Sequence, residues 1–507
     1  MSRFVPELNA AQSRPPRGQP WWVGRFLALT ITLIYGGWAW ALLTNFDLAP
    51  VAHEKLGQVF PDMARRLLAW DFSAGPSAIQ FEAFIRGGVT YAFYGIFPAL
   101  LRMPFLAWHP VGADLARLSC MVALTIAVYG YVRLMQASVE GCSNALLAAA
   151  VIGAVAASGP QIYVLASASL YHELVFWSAA CTAIFQLIVV RRWLRGQELA
   201  HFEYYVLALL AGCCLLCRIP DALGLYLGLL LLMVRSALCR LAFLPRGARF
   251  AGVRQRPGWL LSLAGAGCVA LMFVVVLAVV NSYRWGSPFE TSPYQLYSQY
   301  IGHPDELERI SKHGLFSWVR VGMATAYYGT GLKLEAVMPA LFADYYGSVE
   351  GPRAIVPMLA PLLFVLATIG VIRFMRRPGE TLVPGLVAAG GLVGIAIMLG
   401  FLALCLRYTF DGWGLLVMLA AVGVRAVPAG RPRLVGGVAL LLLCVGVAGS
   451  HLMLLRYKIV YSGTDPEVRY SLSRQIQPLL CPRAVLTPNV KLTDFNPLVT
   501  PNCPPLW

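Results

Sequence analysis

Long apolar runs with almost no charge inside them recur along this chain, and they constrain its fold more than any other feature. A helix needs about 20 apolar residues to cross the hydrocarbon core of a bilayer. Runs near that length stand at 23–45, 112–134, 144–164, 170–190, 219–236, 258–280, 354–374, 382–405, 411–427 and 434–455. A shorter one at 204–217 is joined to its successor by Cys217-Arg218-Ile219-Pro220-Asp221, as in a tight hairpin near one surface. The pattern predicts an all-α polytopic membrane protein with about eleven transmembrane helices. Charged residues make up 13% of the 507 residues, where a soluble domain carries about 25%. That excludes a string of soluble domains, a disordered chain and a secreted disulfide scaffold. The first run follows a long polar leader and exceeds an ordinary signal-peptide core, so it reads as a retained anchor. The stretch 90–108 is apolar but broken by Pro98, Arg102 and Pro104. It reads as a re-entrant or interfacial segment, because a lipid-facing break would leave backbone groups unsatisfied.

The formal net charge is +16, which in a soluble protein would suggest nucleic acid. Its placement suggests insertion instead. With the N-terminus in the cytoplasm and the spans alternating, the cytoplasmic segments hold half of the 40 basic residues but, of the 24 acids, only Glu7, Glu140, Glu198, Glu203 and Glu380. No nucleic-acid partner is implied. This orientation makes 1–22 a cytoplasmic tail and 23–455 a membrane domain with outer loops 46–111 and 281–353. Residues 456–507 become a short extracytoplasmic tail. Cys481 and Cys503 lie in that tail, where an exported compartment would let them form a disulfide. Most other cysteines, among them Cys213, Cys214 and Cys217, lie in or near spans and read as packing residues.

Ion-coupled transporters bind the coupling ion at ionisable residues near mid-span. Here the charges stand at span ends: Asp114 and Arg117, His172 and Glu173, Arg218 and Asp221, Arg407 and Asp411. That argues against a proton or sodium transporter and against a cation channel. It suits chemistry on a substrate whose polar head lies at the interface.

The first outer loop runs His53-Glu54-Lys55, then Pro61-Asp62-Met63-Ala64-Arg65-Arg66, then Trp70-Asp71-Phe72. It continues Phe81-Glu82-Ala83-Phe84-Ile85-Arg86-Gly87-Gly88-Val89-Thr90-Tyr91 and ends Pro98-Ala99-Leu100-Leu101-Arg102-Met103-Pro104. Positions 59, 63, 67 and 70 form an apolar stripe at helical spacing, which predicts an amphipathic helix on the membrane surface. Further on come Tyr171-His172-Glu173, Arg284-Trp285-Gly286-Ser287-Pro288-Phe289-Glu290 and Arg407-Tyr408-Thr409-Phe410-Asp411. Together with the span count and the large first loop, these stretches resemble the GT-C class of integral membrane glycosyltransferases. That class includes the polyprenyl-phosphate-sugar-dependent mannosyl- and aminoarabinosyltransferases. In place of the acid pair usual at the start of this loop stands His53-Glu54.

The resemblance implies a lipid-linked sugar donor, a lipid or cell-envelope glycan acceptor and a bacterial inner membrane. Transfer needs a general base for the acceptor hydroxyl and cations for the departing phosphate. The candidate bases are Glu54 and Glu82, followed by Asp62 and Asp71, which salt bridges to Arg65 or Arg66 would explain equally. The candidate phosphate ligands are Arg65, Arg66, Arg86, Arg102, Arg218, Arg284 and Arg407. His172 and Glu173 stand between a site role and interhelical hydrogen bonding. The aromatic second loop is either an interfacial belt or a lid. No metal or cofactor is implied. The competing readings are an O-antigen-polymerase-like or ligase-like enzyme leaning on Arg218, Arg284, Arg320 and Arg407, and a non-enzymatic flippase or transporter of lipid-linked intermediates.

Overall fold

The computed structural model describes residues 21–52, 54–106, 115–240, 258–301, 303–346, 348–350, 352–428 and 431–461. Cys481 and Cys503 lie outside these residues, as does His53. The described chain is built almost wholly of helices, with two small two-stranded sheets. Eight described helices are long and apolar enough to cross a membrane: Val23–Leu43, Ala116–Val139, Ala145–Ala166, Leu170–Leu194, Ile219–Cys239, Trp259–Trp285, Leu382–Leu399 and Pro432–Lys458. The protein is therefore of the multi-pass membrane kind. The other three expected spans are shorter helices, His201–Leu215 of 15 residues, Pro361–Arg376 of 16 and Trp413–Val424 of 12.

Burial separates the helices by role. In Leu170–Leu194, 72% of the apolar window is buried, against 22% in Trp259–Trp285. The first is an interior strut, so its opening turn delivers Tyr171, His172 and Glu173 into protein. The second leaves most of its surface uncovered by the rest of the described chain. Glycines set two of the helix crossings. A Cβ at Gly423 or Gly370 would strike the backbone of the facing helix at Leu366 or Leu419, and Gly224 and Gly390 face each other in the same way. Small residues at such crossings let backbones approach in a medium where burial of apolar surface offers no driving force.

The first loop differs from its expected form in one respect. The surface helix runs Val59–Leu68, and Val59, Phe60, Met63 and Ala64 are buried. That face packs against Tyr94, Ile96, Ala99, Leu170 and Leu174, not against lipid. Trp70 does not continue the stripe. The helix ends before it, the backbone turns to φ +55° there, and the ring is 76% exposed. Next come a hairpin of Phe84–Arg86 and Val89–Tyr91 and a short helix, Phe97–Arg102. The described part of the broken stretch, 90–106, thus leans on protein. The Phe97 N–H donates to the Leu216 carbonyl at 3.0 Å, and Gly95 lies so close to the Leu216 and Cys217 carbonyls that a side chain would not fit.

The second loop carries helices of its own, including Pro304–His313 and Trp318–Thr330. It is stitched to the first loop by a bridge between Phe84 and Tyr297 and by the Ser298 N–H donating to the Ala83 carbonyl at 2.8 Å. Strand Ser348–Glu350 pairs in parallel with Ala403–Cys405 and anchors the loop's far end beside Arg407. Arg320, fully buried, donates to the carbonyls of Tyr345, Gly314 and Leu315 at 2.7, 2.9 and 3.0 Å and holds this loop together.

Candidate active site

Glu82 ends a short 3-10 turn, Gln80–Glu82, between the surface helix and the hairpin, and is buried. Its carboxylate accepts from Tyr94 Oη at 2.6 Å, from Tyr297 Oη at 2.9 Å, from Gln299 Nε2 at 3.0 Å and from Tyr171 Oη. The donors come from the first loop, the opening turn of Leu170–Leu194 and the second loop. All four are uncharged, which sets Glu82 apart from the other first-loop acids. Burial, then the neighbouring Tyr171 and Glu82, push the Tyr94 hydroxyl well above its ordinary value. Burial and Glu82 do the same to Tyr297. Burial and Glu306 push Tyr300, next in line, up to about 12. These tyrosines therefore remain protonated donors.

Two buried arginines border this cage. The Arg407 guanidinium lies 4.4 Å from the centroid of the Tyr171 ring and 5.5 Å from that of Tyr408. Arg284, 3% exposed at the end of Trp259–Trp285, donates to the Tyr94 carbonyl at 2.9 Å, and its Nε is buried without a hydrogen-bond partner. Arg86 reaches over from the hairpin and donates to the Arg284 carbonyl at 3.1 Å. Its guanidinium lies against Gly286, which stands at φ +79°. A buried cation held by a neutral carbonyl is poised for an anion.

Most of the remaining candidates are taken up in ion pairs. Arg102 forms a two-pronged pair with Glu173 at 2.5 and 2.9 Å, deep in the protein, and Ser119 also donates to Glu173. His172 Nδ1 meets Ser169 Oγ at 2.7 Å, and its Nε2 meets Tyr457 Oη at 3.4 Å. Arg218 donates to Asp411 at 2.7 Å and lies 3.6 Å from Asp221. Glu54, named with Glu82 as a leading base, accepts from Arg117 Nε at 2.6 Å, and the same arginine lies 3.3 Å from Asp47. Asp62 and Asp71 both grip Arg66, at 3.0 and 2.8 Å. Arg65 is exposed. Partial burial opposes ionisation of Asp71, but Ser73 and Arg66 outweigh it and hold the carboxyl below its ordinary 3.8.

The cage tyrosines were not separable in the sequence. Tyr297 stood in an aromatic-rich loop as one ring among many, and Gln299 carried no signal at all. Among the described residues, no group of three or more His, Cys, Asp or Glu side chains comes together as a metal site would need.

No family model matches the chain, and no curated protein matches it. Among solved structures it is similar to the Archaeoglobus fulgidus oligosaccharyltransferase. In the form tethered to an acceptor peptide, identity is 12% and TM-score 0.44 over 88% of this chain and 56% of that one. In the complex with zinc and sulfate, identity is 12% and TM-score 0.46 over 84% and 52%. This chain thus spans about half the length of that enzyme. It is also similar to ArnT from Cupriavidus metallidurans bound to undecaprenyl phosphate, with 14% identity and TM-score 0.44 over 92% of this chain and 81% of that one. All three likenesses are distant.

Proposed function

We propose that the protein is a glycosyltransferase of the bacterial cytoplasmic membrane. It moves a sugar from a polyprenyl-phosphate-linked donor to a lipid or cell-envelope glycan at the extracytoplasmic face. Glu82 is the general base, and Arg284 and Arg407 hold the departing phosphate. The observation that carries this reading is a buried carboxylate in a cage of neutral donors, bordered by buried arginines, at the end of a long apolar span.

The chemistry follows from that arrangement. A carboxylate has about four lone-pair sites, and four donors occupy them in Glu82. The acceptor hydroxyl therefore enters by replacing one donor. Tyr94, Tyr297 and Gln299 stand on the outer loops, and Tyr171 alone belongs to a membrane helix. The hydroxyl proton passes to Glu82 as its oxygen bonds to the anomeric carbon. The bond from that carbon to the phosphate oxygen breaks, and the electron pair stays on the phosphate. The added negative charge falls beside Arg284 and Arg407. In a site shielded from water, such charge-assisted hydrogen bonds form without reorganisation. The donor phosphate also supplies Arg284 with an anion, where among the described residues its hydrogen-bond partner is the Tyr94 carbonyl.

The test is transfer from a labelled polyprenyl-phosphate sugar in proteoliposomes containing cell-envelope lipid and glycan fractions. The reading expects label in an acceptor fraction, strongly reduced by Arg284→Gln. Translocation of the donor without transfer would favour a carrier and overturn it.

A further inference from the structure

A second concentration of charge stands at the other end of the Leu170–Leu194 helix. Tyr171 and Arg191 are separated along it by about 30 Å at 1.5 Å per residue. There Arg191, Arg192 and Arg195 line a groove of about 290 Å³ together with Leu187, Ile188 and Glu203. Arg133 and Arg25, from two neighbouring spans, lie close enough for their charges to act on Arg191. The acids that face this cluster are few. Glu203 is taken by Arg192, at 2.8 and 2.9 Å, and Glu140 acts on Arg133. The cluster therefore keeps a positive excess, and its like charges repel one another.

We propose that this groove is a binding site for the headgroup of an anionic glycerophospholipid. Insertion accounts for basic residues at these span ends, but it does not require three arginines of one helix end to line a single groove with Arg133 and Arg25 of two other helices near enough to act on Arg191. The lining is graded as a lipid would need. Leu187 and Ile188 lie toward the apolar middle of the helix, where the first carbons of acyl chains would pack, and the guanidiniums follow at its end. Arginine binds phosphate with two parallel N–H bonds. Basic pockets between transmembrane helices take anionic lipid headgroups on this physical basis. A net negative lipid also relieves the repulsion among the arginines, which a zwitterionic one does not. The site is independent of the sugar chemistry at the opposite end.

The experiment is native mass spectrometry of the full chain, released from detergent containing equal phosphatidylglycerol and phosphatidylethanolamine. The wild type retains phosphatidylglycerol in preference. Arg191→Gln with Arg195→Gln lowers that preference about fivefold or more, whereas Arg376→Gln, on a different loop, leaves it unchanged. Ile188→Trp keeps every charge, and with it the insertion signal, but fills the groove, and it lowers the preference as well. Equal retention of both lipids by the wild type would overturn the proposal. So would an Ile188→Trp variant as selective as the wild type, since the charges alone would then suffice. Displacement of bound lipid by millimolar inorganic phosphate would assign the site to a free anion, which also overturns it.

Discussion

At the scale of single residues, the site turns on which charges are already satisfied. Glu54, Asp62, Asp71 and Glu173 each hold an arginine, whereas Glu82 holds tyrosines. The sequence could place all five acids near one membrane surface, but it could not say which would find a guanidinium, because the partners lie up to 71 residues away. Tyr171 joins the two halves of the cage: its hydroxyl donates to Glu82 and its ring carries Arg407. Tyr171→Phe removes one donor to Glu82 but keeps the ring under Arg407, so it should lower kcat with little change in donor KM. Tyr171→Leu also removes the cation–π contact, worth about 0.5–2 kcal/mol, and should raise donor KM as well. Glu173→Gln strands Arg102 in the interior. Losing one partner of a buried pair costs about 3–5 kcal/mol, so a large drop in thermal midpoint is expected even where transfer persists.

At the scale of elements, most of the span helices were legible from apolar length alone, because a bilayer imposes one solution on the backbone. What composition could not reveal was how short some of them are, or that the second loop would fold into helices of its own. The surface helix was legible by its period, but not the fact that protein covers its apolar face. The polar side of that helix gives a pH prediction. Asp71 has its carboxyl held below 3.8 in the folded state, so its stabilising contribution is present above that value and is lost as the pH falls through the lower folded value. Hydrogen exchange over 59–75 should therefore stay constant from neutral pH down to about pH 4 and accelerate selectively only below 3.8, after correction for the intrinsic rate. The glycine crossing predicts a second outcome. Gly423→Leu forces Pro361–Arg376 and Trp413–Val424 apart and should lower the yield of folded protein, while Gly379→Leu, which meets no neighbour, should not.

At the scale of the whole molecule, the arginine asymmetry and the loop distribution argue for one orientation. The glycosyltransferase reading requires the Glu82 end to face away from the cytoplasm, where lipid-linked sugars would be presented. A membrane-impermeant maleimide should label Glu308→Cys in intact cells above the unsubstituted background, and Gly379→Cys only after the membrane is opened. The reverse pattern would place the cage in the cytoplasm and remove the proposed donor from reach.

The central claim is that Glu82 takes the acceptor proton, and single-turnover transfer from a bound polyprenyl-phosphate sugar tests it most directly. General-base catalysis contributes about 10²–10⁴-fold. Glu82→Gln keeps the size of the side chain and should lower the rate by that order while the variant still binds donor and stays folded. Glu54→Gln, which loosens the pair with Arg117, should cost less. A Glu82→Gln enzyme that transfers sugar at the wild-type rate would contradict the account.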